Sequence, residues 1–334
     1  MRIFIFIGIT LFLFSHFFSQ DNKDKKKSKE EQVPENIHVF KQNFMIRPRF
    51  VLPSVWFNVS GRLVNDANSF TWKPAMPRVV GLSMKIKKVF ISFAVKIPTS
   101  DNYKNKYGNT KSRNINLNIQ GRTLLWTLFY RDYLGFYLFE PQKHYPKWHK
   151  DSSEYPKLDN LRIFEAGINF GLNFNKKFSL NAAFAQSERQ KKSAGSFLLF
   201  VSERYQRIEG DTNMVPFPLI EHYPSTNQFS YGNFISTIFS MGFAYQFVKN
   251  KLHFTPLIHA GAGLQYQRFY QRTIGERTKF NFPTYFNFKS QLGYNADHFF
   301  VNFIYSLEFN SIPISESRIR IVHNWIEMGL GIRI

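Results

Sequence analysis

The chain has 334 residues, of which 39 are Phe, 16 are Tyr and none is Cys, and its formal net charge is +21 at pH 7. Without cysteine there can be no disulfides, thiolate metal sites, cysteine nucleophiles or lipidated N-terminal Cys. The basic charge is compatible with nucleic acid as a partner, but the export predicted from the first residues argues against nucleic acid. For an exported chain, the basic charge instead favours membrane lipids or lipopolysaccharide as partners, or an interior that attracts anions.

The first residues predict a secretory signal peptide at 1–19. Arg2 supplies a positive charge, residues 3–13 form an apolar core, and cleavage is expected beside Ser19 or Gln20. An uncleaved membrane anchor is the alternative, but the apolar run is short for a membrane span.

The next segment, residues 20–36, is polar and rich in Lys and Glu, so we expect a disordered linker. Residues 37–334 are then expected to form a β-barrel domain. No later segment has the uninterrupted apolar run of a membrane helix. Since only helices and closed barrels cross a bilayer, an exported chain of amphipathic strands is a membrane barrel or a soluble β protein.

Polar and apolar residues alternate with a period of two in several segments, which predicts strands. In 114–120, 167–174, 258–267 and 301–310, Asn, Gln, Gly or Ser interleave with apolar residues, although Ile304 interrupts the last polar row. Neutral amides and glycines suit the lumen of a membrane barrel. A soluble sandwich would place the apolar rows in one core, and periodicity alone does not exclude it.

The connections favour an outer-membrane barrel, in which short periplasmic turns alternate with longer outer loops. Short turns are predicted at 87–88, 121–122, 175–177, 249–251 and 295–297. Longer polar loops are predicted at 65–77, 98–111, 140–158, 271–277 and 310–318. The fold class is therefore all-β, a transmembrane antiparallel up-and-down β-barrel in the bacterial outer membrane.

The strand count is about twelve. The predicted strands are 44–64, 78–87, 89–97, 112–121, 123–139, 159–174, 177–187, 229–247, 251–270, 278–295, 298–309 and 319–334. Segment 193–205 also resembles a strand. Counting it as a separate strand would place the later short turns on the outer side of the membrane. The segment could continue the strand near 177, fold inward as a constriction, or imply about fourteen strands if Pro53 splits the first one.

The final ten residues alternate without interruption. Ile326, Met328, Leu330, Ile332 and Ile334 share one face. Glu327, Gly329, Gly331 and Arg333 share the other. A terminal strand with its apolar face outward is how an outer-membrane barrel closes.

Several short stretches together carry a family resemblance. They are Arg47-Pro48-Arg49-Phe50, Thr71-Trp72-Lys73-Pro74, residues 106–111, Tyr130 with Gly135-Phe136-Tyr137, and above all residues 187–196. The chain resembles a Bacteroidetes outer-membrane β-barrel family, domain of unknown function 4421, over nearly all of its length after the signal peptide. The resemblance implies location and architecture but no activity. Ala75-Met76 stand where the family is expected to have an Asn-Pro-like turn, so the loop near residue 75 is expected to differ.

The densest charged cluster outside the linker gives the anion-binding candidates. They are Arg189, Lys191, Lys192, Ser193, Gly195 and Ser196. Arg can hold phosphate or carboxylate with two hydrogen bonds, and the small residues would leave backbone N–H groups accessible. The alternative is a solvated turn or a salt-bridge cluster with Glu188.

Other chemistry has weaker support in the sequence. A hydrolase would need a Ser–His pair, for example His259 with Ser193 or Ser196, but His259 fits a hydrogen-bonded interior residue better. The outer-loop residues His144 and His149 match no zinc motif, and we expect no catalytic residue, metal or cofactor.

Three functions stay open: a small pore for solutes, a structural or lipopolysaccharide-binding barrel without a pore, and a lipid-modifying enzyme. The path of residues 186–228 discriminates between them, since a segment that blocks the lumen argues against simple diffusion.

Overall fold

The computed structural model describes residues 34–61, 68–87, 89–121, 123–149, 154–210, 213–314 and 317–334. The predicted signal peptide, 1–19, and all but the end of the predicted linker, 20–36, lie outside these ranges. Among the described residues, no helix has the length and apolarity needed to span a bilayer.

The described chain consists mainly of antiparallel strands. In chain order they are β1 (Ile37–Val39), β2 (Phe44–Gly61), β3 (Phe70–Lys73), β4 (Val79–Ile86), β5 (Val89–Lys96), β6 (Lys111–Gln120), β7 (Leu124–Phe139), β8 (Lys157–Asn173), β9 (Glu188–Gln190), β10 (Ala194–Glu209), β11 (Phe229–Lys249), β12 (Leu252–Gln271), β13 (Gly275–Asn281), β14 (Thr284–Asn295), β15 (Phe299–Ile314) and β16 (Ser317–Arg333). The helical segments are short: α1 (Asp101–Tyr107), α2 (Pro224–Asn227), 3₁₀ turns at Pro141–Lys143 and Phe217–His222, and a π-helical turn at Asn181–Ala185.

Twelve of these strands close into a barrel in the order β2-β4-β5-β6-β7-β8-β10-β11-β12-β14-β15-β16, because β16 pairs back with β2. Strand β13 continues the line of β14 along β12. Strand β3 bridges β2 and β7 above the shorter strands between them. The predicted barrel and the count of twelve are confirmed, and the alternative of fourteen is wrong because β2 runs unbroken through Pro53.

One predicted strand is wrong, and the strand predicted at 278–295 is interrupted at 282–283, between β13 and β14. Residues 177–187 are not a strand, and the segment suspected at 193–205 is the barrel strand β10. In the misassigned segment, Ser179 Oγ accepts a hydrogen bond from Ala182 N at 3.0 Å. The alanine-rich turn that follows takes a helical form, consistent with the high helix propensity of alanine.

The later short turns still lie at the same end of the barrel as the early ones, because the connection 174–193 begins and ends at that end. The chain does turn at the predicted 175–177, where Phe178 N donates to Asn175 O at 3.0 Å, but this turn leads into the connection and does not join two strands. The loop predicted at 310–318 is also wrong, since β15 reaches Ile314 and β16 begins at Ser317.

We call the end where β2 begins and β16 finishes the near rim, and the opposite end the far rim. The predicted C-terminal alternation is confirmed: Met328 and Leu330 are 59% and 54% exposed, whereas Glu327 and Arg333 are buried. The apolar rows thus lie on the outside of a closed sheet, and the two-layer sandwich is excluded for the described chain.

The near rim is closed by the connection 174–193, which we call the plug. Its apolar residues Phe178, Leu180 and Ala183 pack against the inward-facing Leu198, Ala244 and Leu257. Strand β1 pairs with β9 of the plug. Arg333 also donates to the backbone oxygen of Gln186 within the plug. The plug is therefore bound to the barrel wall by both apolar packing and hydrogen bonds.

The far rim is closed by residues 213–228, which we call the cap. Met214, Val215, Leu219 and Tyr223 are buried in one apolar cluster with inward-facing residues such as Phe57 and Ile321. Trp72 Nε1 on β3 donates to the backbone oxygen of Met214 at 2.9 Å. Burial of this much apolar surface stabilises a closed far rim.

Candidate functional site

The barrel interior between plug and cap carries two groups of charged side chains. We call Arg131, Glu165, Arg204 and Glu308 the balanced cluster, and Arg47, Arg49, Lys289 and Glu327 the cationic cluster. Both form because strand residues two apart face the same side, which places a charge from each of several strands inside the barrel.

In the balanced cluster, opposite charges are matched. Arg204 Nη2 lies 2.7 Å from Glu308 Oε1, and Arg131 Nη2 donates to Glu308 Oε2 at 2.8 Å. Arg131 Nη1 lies 3.6 Å from Glu165 Oε2. His323 Nε2 is 2.5 Å from the same oxygen. Two guanidinium groups therefore face two carboxylates.

Neutral groups enclose this cluster. Gln206 Nε2 donates to Glu165 Oε1 at 2.5 Å. The Arg204 guanidinium carbon lies 4.5 Å from the centre of the Tyr285 ring and 5.0 Å from that of Phe129, within cation–π range. Such an enclosed and neutralised network braces opposite walls of the barrel.

In the cationic cluster, a single carboxylate serves both arginines. Arg47 Nη2 lies 2.9 Å from Glu327 Oε1, and Arg49 Nη1 lies 2.8 Å from Glu327 Oε2. The Nε of Arg49 is buried without a hydrogen-bond partner. Lys289 Nζ rests 4.6 Å from the centre of the Phe184 ring in the plug.

Glycines make room for the two arginines. A Cβ at Gly81 would lie 2.6 Å from Arg49 Nε, and one at Gly329 would lie 3.1 Å from Arg47 Cδ. Any larger side chain at Gly81 would displace the guanidinium, so the sequence reserves space for it.

The plug is tied to the near rim by a third group of charges, which we call the clamp. Arg189 on β9 donates to Asp297 Oδ1 at 2.9 Å, and His38 on β1 lies 3.9 Å from the same oxygen. Burial opposes ionisation of Asp297, but Arg189 and Lys251 outweigh it and hold the pKa of Asp297 below its usual value. Burial and Arg189 lower the pKa of His38.

The six predicted anion-binding residues all lie at the near rim, but they do not converge. Arg189 is bound to Asp297, whereas Lys191 and Lys192 are exposed. Ser193 Oγ accepts from Val248 N at 2.9 Å.

The other two members of that set lie at the beginning of β10. Ser196 is buried, and its Oγ donates to the backbone oxygen of Phe197 at 2.7 Å. Gly195 is packed beneath Tyr245, where a Cβ would lie 2.5 Å from Cδ2. An anion held jointly by all six stays a prediction.

His259 faces the interior beside a serine that the sequence did not suggest. Its Nδ1 lies 3.1 Å from Ser240 Oγ, and its ring stacks on Phe200 with 4.3 Å between ring centres. It does not meet Ser193 or Ser196.

Outside the barrel, near the far rim, arginines and tyrosines form a band. On the neighbouring strands β8, β10, β11 and β12 it comprises Arg162, Arg207 and Arg268 with Tyr205, Tyr231, Tyr266 and Tyr270. Arg318 and Arg320 belong to it on β16, with two strands between β12 and β16. Several of these arginines have surface partners: Arg162 Nε donates to Asp132 at 2.8 Å, and Arg320 Nη1 donates to Ser60 Oγ at 2.6 Å. Tyr231 and Tyr270 stack with 5.6 Å between ring centres.

Comparison with known proteins gives one family and several similar folds. The sequence profile of the domain of unknown function DUF4421 matches residues 12–330. No curated protein matches the chain.

Among solved structures, OmpT, an outer membrane protein of Vibrio cholerae, is 8% identical with a TM-score of 0.31, over 89% of this chain and 99% of its own. The beta domain of the Bordetella autotransporter BrkA is 9% identical with a TM-score of 0.32, over 87% of this chain and 100% of its own. The P. putida toluene transporter TodX is 8% identical with a TM-score of 0.29, over 90% and 91%. With identities and TM-scores this low, the function has to be argued from the geometry of this chain.

Proposed function

We propose that this chain, which belongs to the DUF4421 family, is an outer-membrane barrel without an open pore that binds components of the envelope. The observation that carries the proposal is the double closure, by the plug at the near rim and by the cap at the far rim. A diffusion pore needs a continuous aqueous path, and two packed apolar closures oppose one.

The outer wall supports membrane insertion. Outward-facing Phe197, Phe239 and Met241 are 71%, 59% and 72% exposed, which is a large cost in water and a gain in hydrocarbon. Every barrel strand is paired on both sides, so the backbone N–H and C=O groups are hydrogen-bonded within the sheet, as they must be in a bilayer. We place the near rim, with its short turns, in the periplasm.

Export and source belong to the same proposal. Residues 1–19 would direct secretion, and the N-terminal mass of protein purified from outer membranes tests their removal. A Bacteroidetes source is the companion prediction.

A swelling assay in proteoliposomes tests the closure. Liposomes containing the purified protein should shrink and stay shrunken in small sugars, as protein-free liposomes do. A variant that lacks both 177–192 and 214–223, each replaced by a short linker, should swell, whereas either deletion alone should not. Rapid swelling with the intact protein would refute the proposal of a closed barrel.

The exterior band near the far rim supports lipopolysaccharide as the bound component. Arginines beside tyrosines, just above an apolar wall, match phosphorylated sugars attached to acyl chains. Arg162 is paired with Asp132 at the surface, where ion pairs are weak, and Arg320 donates to the neutral oxygens of Asn58 and Ser60. Both arginines can therefore exchange their present partners for phosphate.

Native mass spectrometry tests this binding. Wild-type protein should retain lipid A, and R162Q/R320Q should retain less, whereas the matched variant K249Q, which changes an exposed cation at the near-rim end of β11, should behave as wild type. Equal retention by all three proteins would remove the band from the proposal.

A further inference from the structure

We propose that the cationic cluster binds a small anion inside the closed barrel. This site lies apart from the near-rim anion-binding candidates and from the exterior band. It goes beyond the proposed function, because it would exist whether or not the envelope component is lipopolysaccharide.

The first argument is charge. Arg47, Arg49 and Lys289 bring three positive charges, and Glu327 brings one negative charge. Charge taken out of water is strongly unfavourable unless it is paired. The surplus is not met by protein, since Lys289 has no hydrogen bond or ion pair within 4.0 Å among the described residues.

The second argument is unused hydrogen-bonding capacity. An ammonium group offers three donors, and Lys289 Nζ is held only by the face of Phe184. The buried Nε–H of Arg49 is a further donor without an acceptor. The balanced cluster also has such donors, on Arg131 and Arg204, so the surplus of positive charge is what sets the cationic cluster apart. Buried donors are nearly always satisfied, so an acceptor that does not belong to the chain would complete this arrangement.

The third argument is space. The side chains of Arg47 and Arg49 keep 13% of their surface accessible although they point into the barrel. Asn116 and Asn118 face the same interior from β6, three strands along the barrel from β2, and are also partly accessible. Water-sized space therefore remains between the plug and the cap.

The ligand class follows from these features. A guanidinium Nε–H and an ammonium favour a compact oxyanion or carboxylate, and the plug and cap exclude large solutes from the interior. A phosphate ion from solution and the phosphate of a small metabolite share this chemistry, so inorganic phosphate is the suitable probe. Comparing its binding with that of glycerol phosphate distinguishes a free ion from a phosphate ester as the ligand.

Equilibrium dialysis against radiolabelled phosphate in low-salt buffer tests the site, because long equilibration allows for slow entry. Wild-type protein in detergent should bind phosphate saturably. K289M, which keeps the chain length and removes the charge, should bind about tenfold more weakly or not at all. K279M, at an exposed position of β13, is the matched control and should bind as wild type.

Two results would overturn the proposal: no saturable binding by the wild type, or equal binding by wild type and K289M. If K289M does not fold, E327Q decides, since it removes the competing carboxylate and should bind phosphate more tightly. Unchanged or weaker binding by a folded E327Q would also overturn it. The swelling assay tests closure independently, so a failure of the anion-site proposal would not contradict the proposal of a closed barrel.

Discussion

The two charged clusters inside the barrel differ in one respect: the balanced cluster has as many carboxylates as guanidinium groups, and the cationic cluster does not. Glu308 lies between Arg204 and Arg131 at 2.7 and 2.8 Å. Glu327 similarly joins Arg47 and Arg49, but Lys289 adds a third positive charge to a cluster that has this single carboxylate. The comparison separates charges that hold the barrel together from charges available to a ligand.

The largest expected effect is at Glu308. In E308Q, Arg131 and Arg204 lose their shared carboxylate while staying buried, and removal of one partner from a buried ion pair costs about 3–5 kcal/mol. Urea unfolding in lipid vesicles should show this loss of unfolding free energy, with or without phosphate in the buffer. Stability near that of the wild type would mean that the balanced cluster does not brace the barrel.

A smaller and conditional effect is expected at Glu327. E327Q leaves three cations without a carboxylate, so without phosphate its unfolding free energy should fall by roughly 2 kcal/mol. Phosphate should restore part of that loss, because a ligand that binds only the folded state stabilises it. Recovery in E327Q but not in E308Q is the contrast expected; identical behaviour of the two variants would erase the distinction between the clusters.

The smallest effect is expected in the clamp of His38, Arg189 and Asp297. Because the pKa of His38 is lowered in the folded protein, its contribution is present above the ordinary His value and weakens as pH falls through about 6.5. The pKa of Asp297 is also lowered, so its contribution is lost further down, as pH falls below about 4. Both groups are well exposed, which limits the effect to less than about 1 kcal/mol.

Because the chain has no cysteine, K41C gives a unique site for an environment-sensitive dye next to β1. Its fluorescence should report undocking of β1 on acidification, and the added substitution H38Q should remove the step near pH 6.5. A pH-independent signal in the parent would exclude the clamp as a titrating contact.

The wall of the barrel could be predicted from the sequence because each strand carries its own period-two pattern. The C-terminal strand and the row around Ile304 were both correct in this way, and Ile304 is buried as an inward-facing apolar residue. The plug could not be predicted, since residues 177–187 alternate as a strand does but make their hydrogen bonds elsewhere, for example from Ser179 N to Gln190 Oε1 at 3.1 Å.

The interior clusters were missed for a different reason. Arg47 and Arg49 are two apart on β2 and so share a face, which local sequence does reveal. Their partner Glu327 lies 278 positions from Arg49, and only closure of the barrel brings them together. The predicted cluster at 188–196 was conspicuous because its charges are adjacent in sequence, whereas charges that meet across a barrel are not.

Conductance in planar lipid bilayers tests the central claim most directly. We expect the intact protein to insert and to give no discrete conductance steps, and the variant that lacks both plug and cap to give steps that favour anions. Stable open-channel currents from the intact protein at low voltage would contradict a barrel closed at both rims.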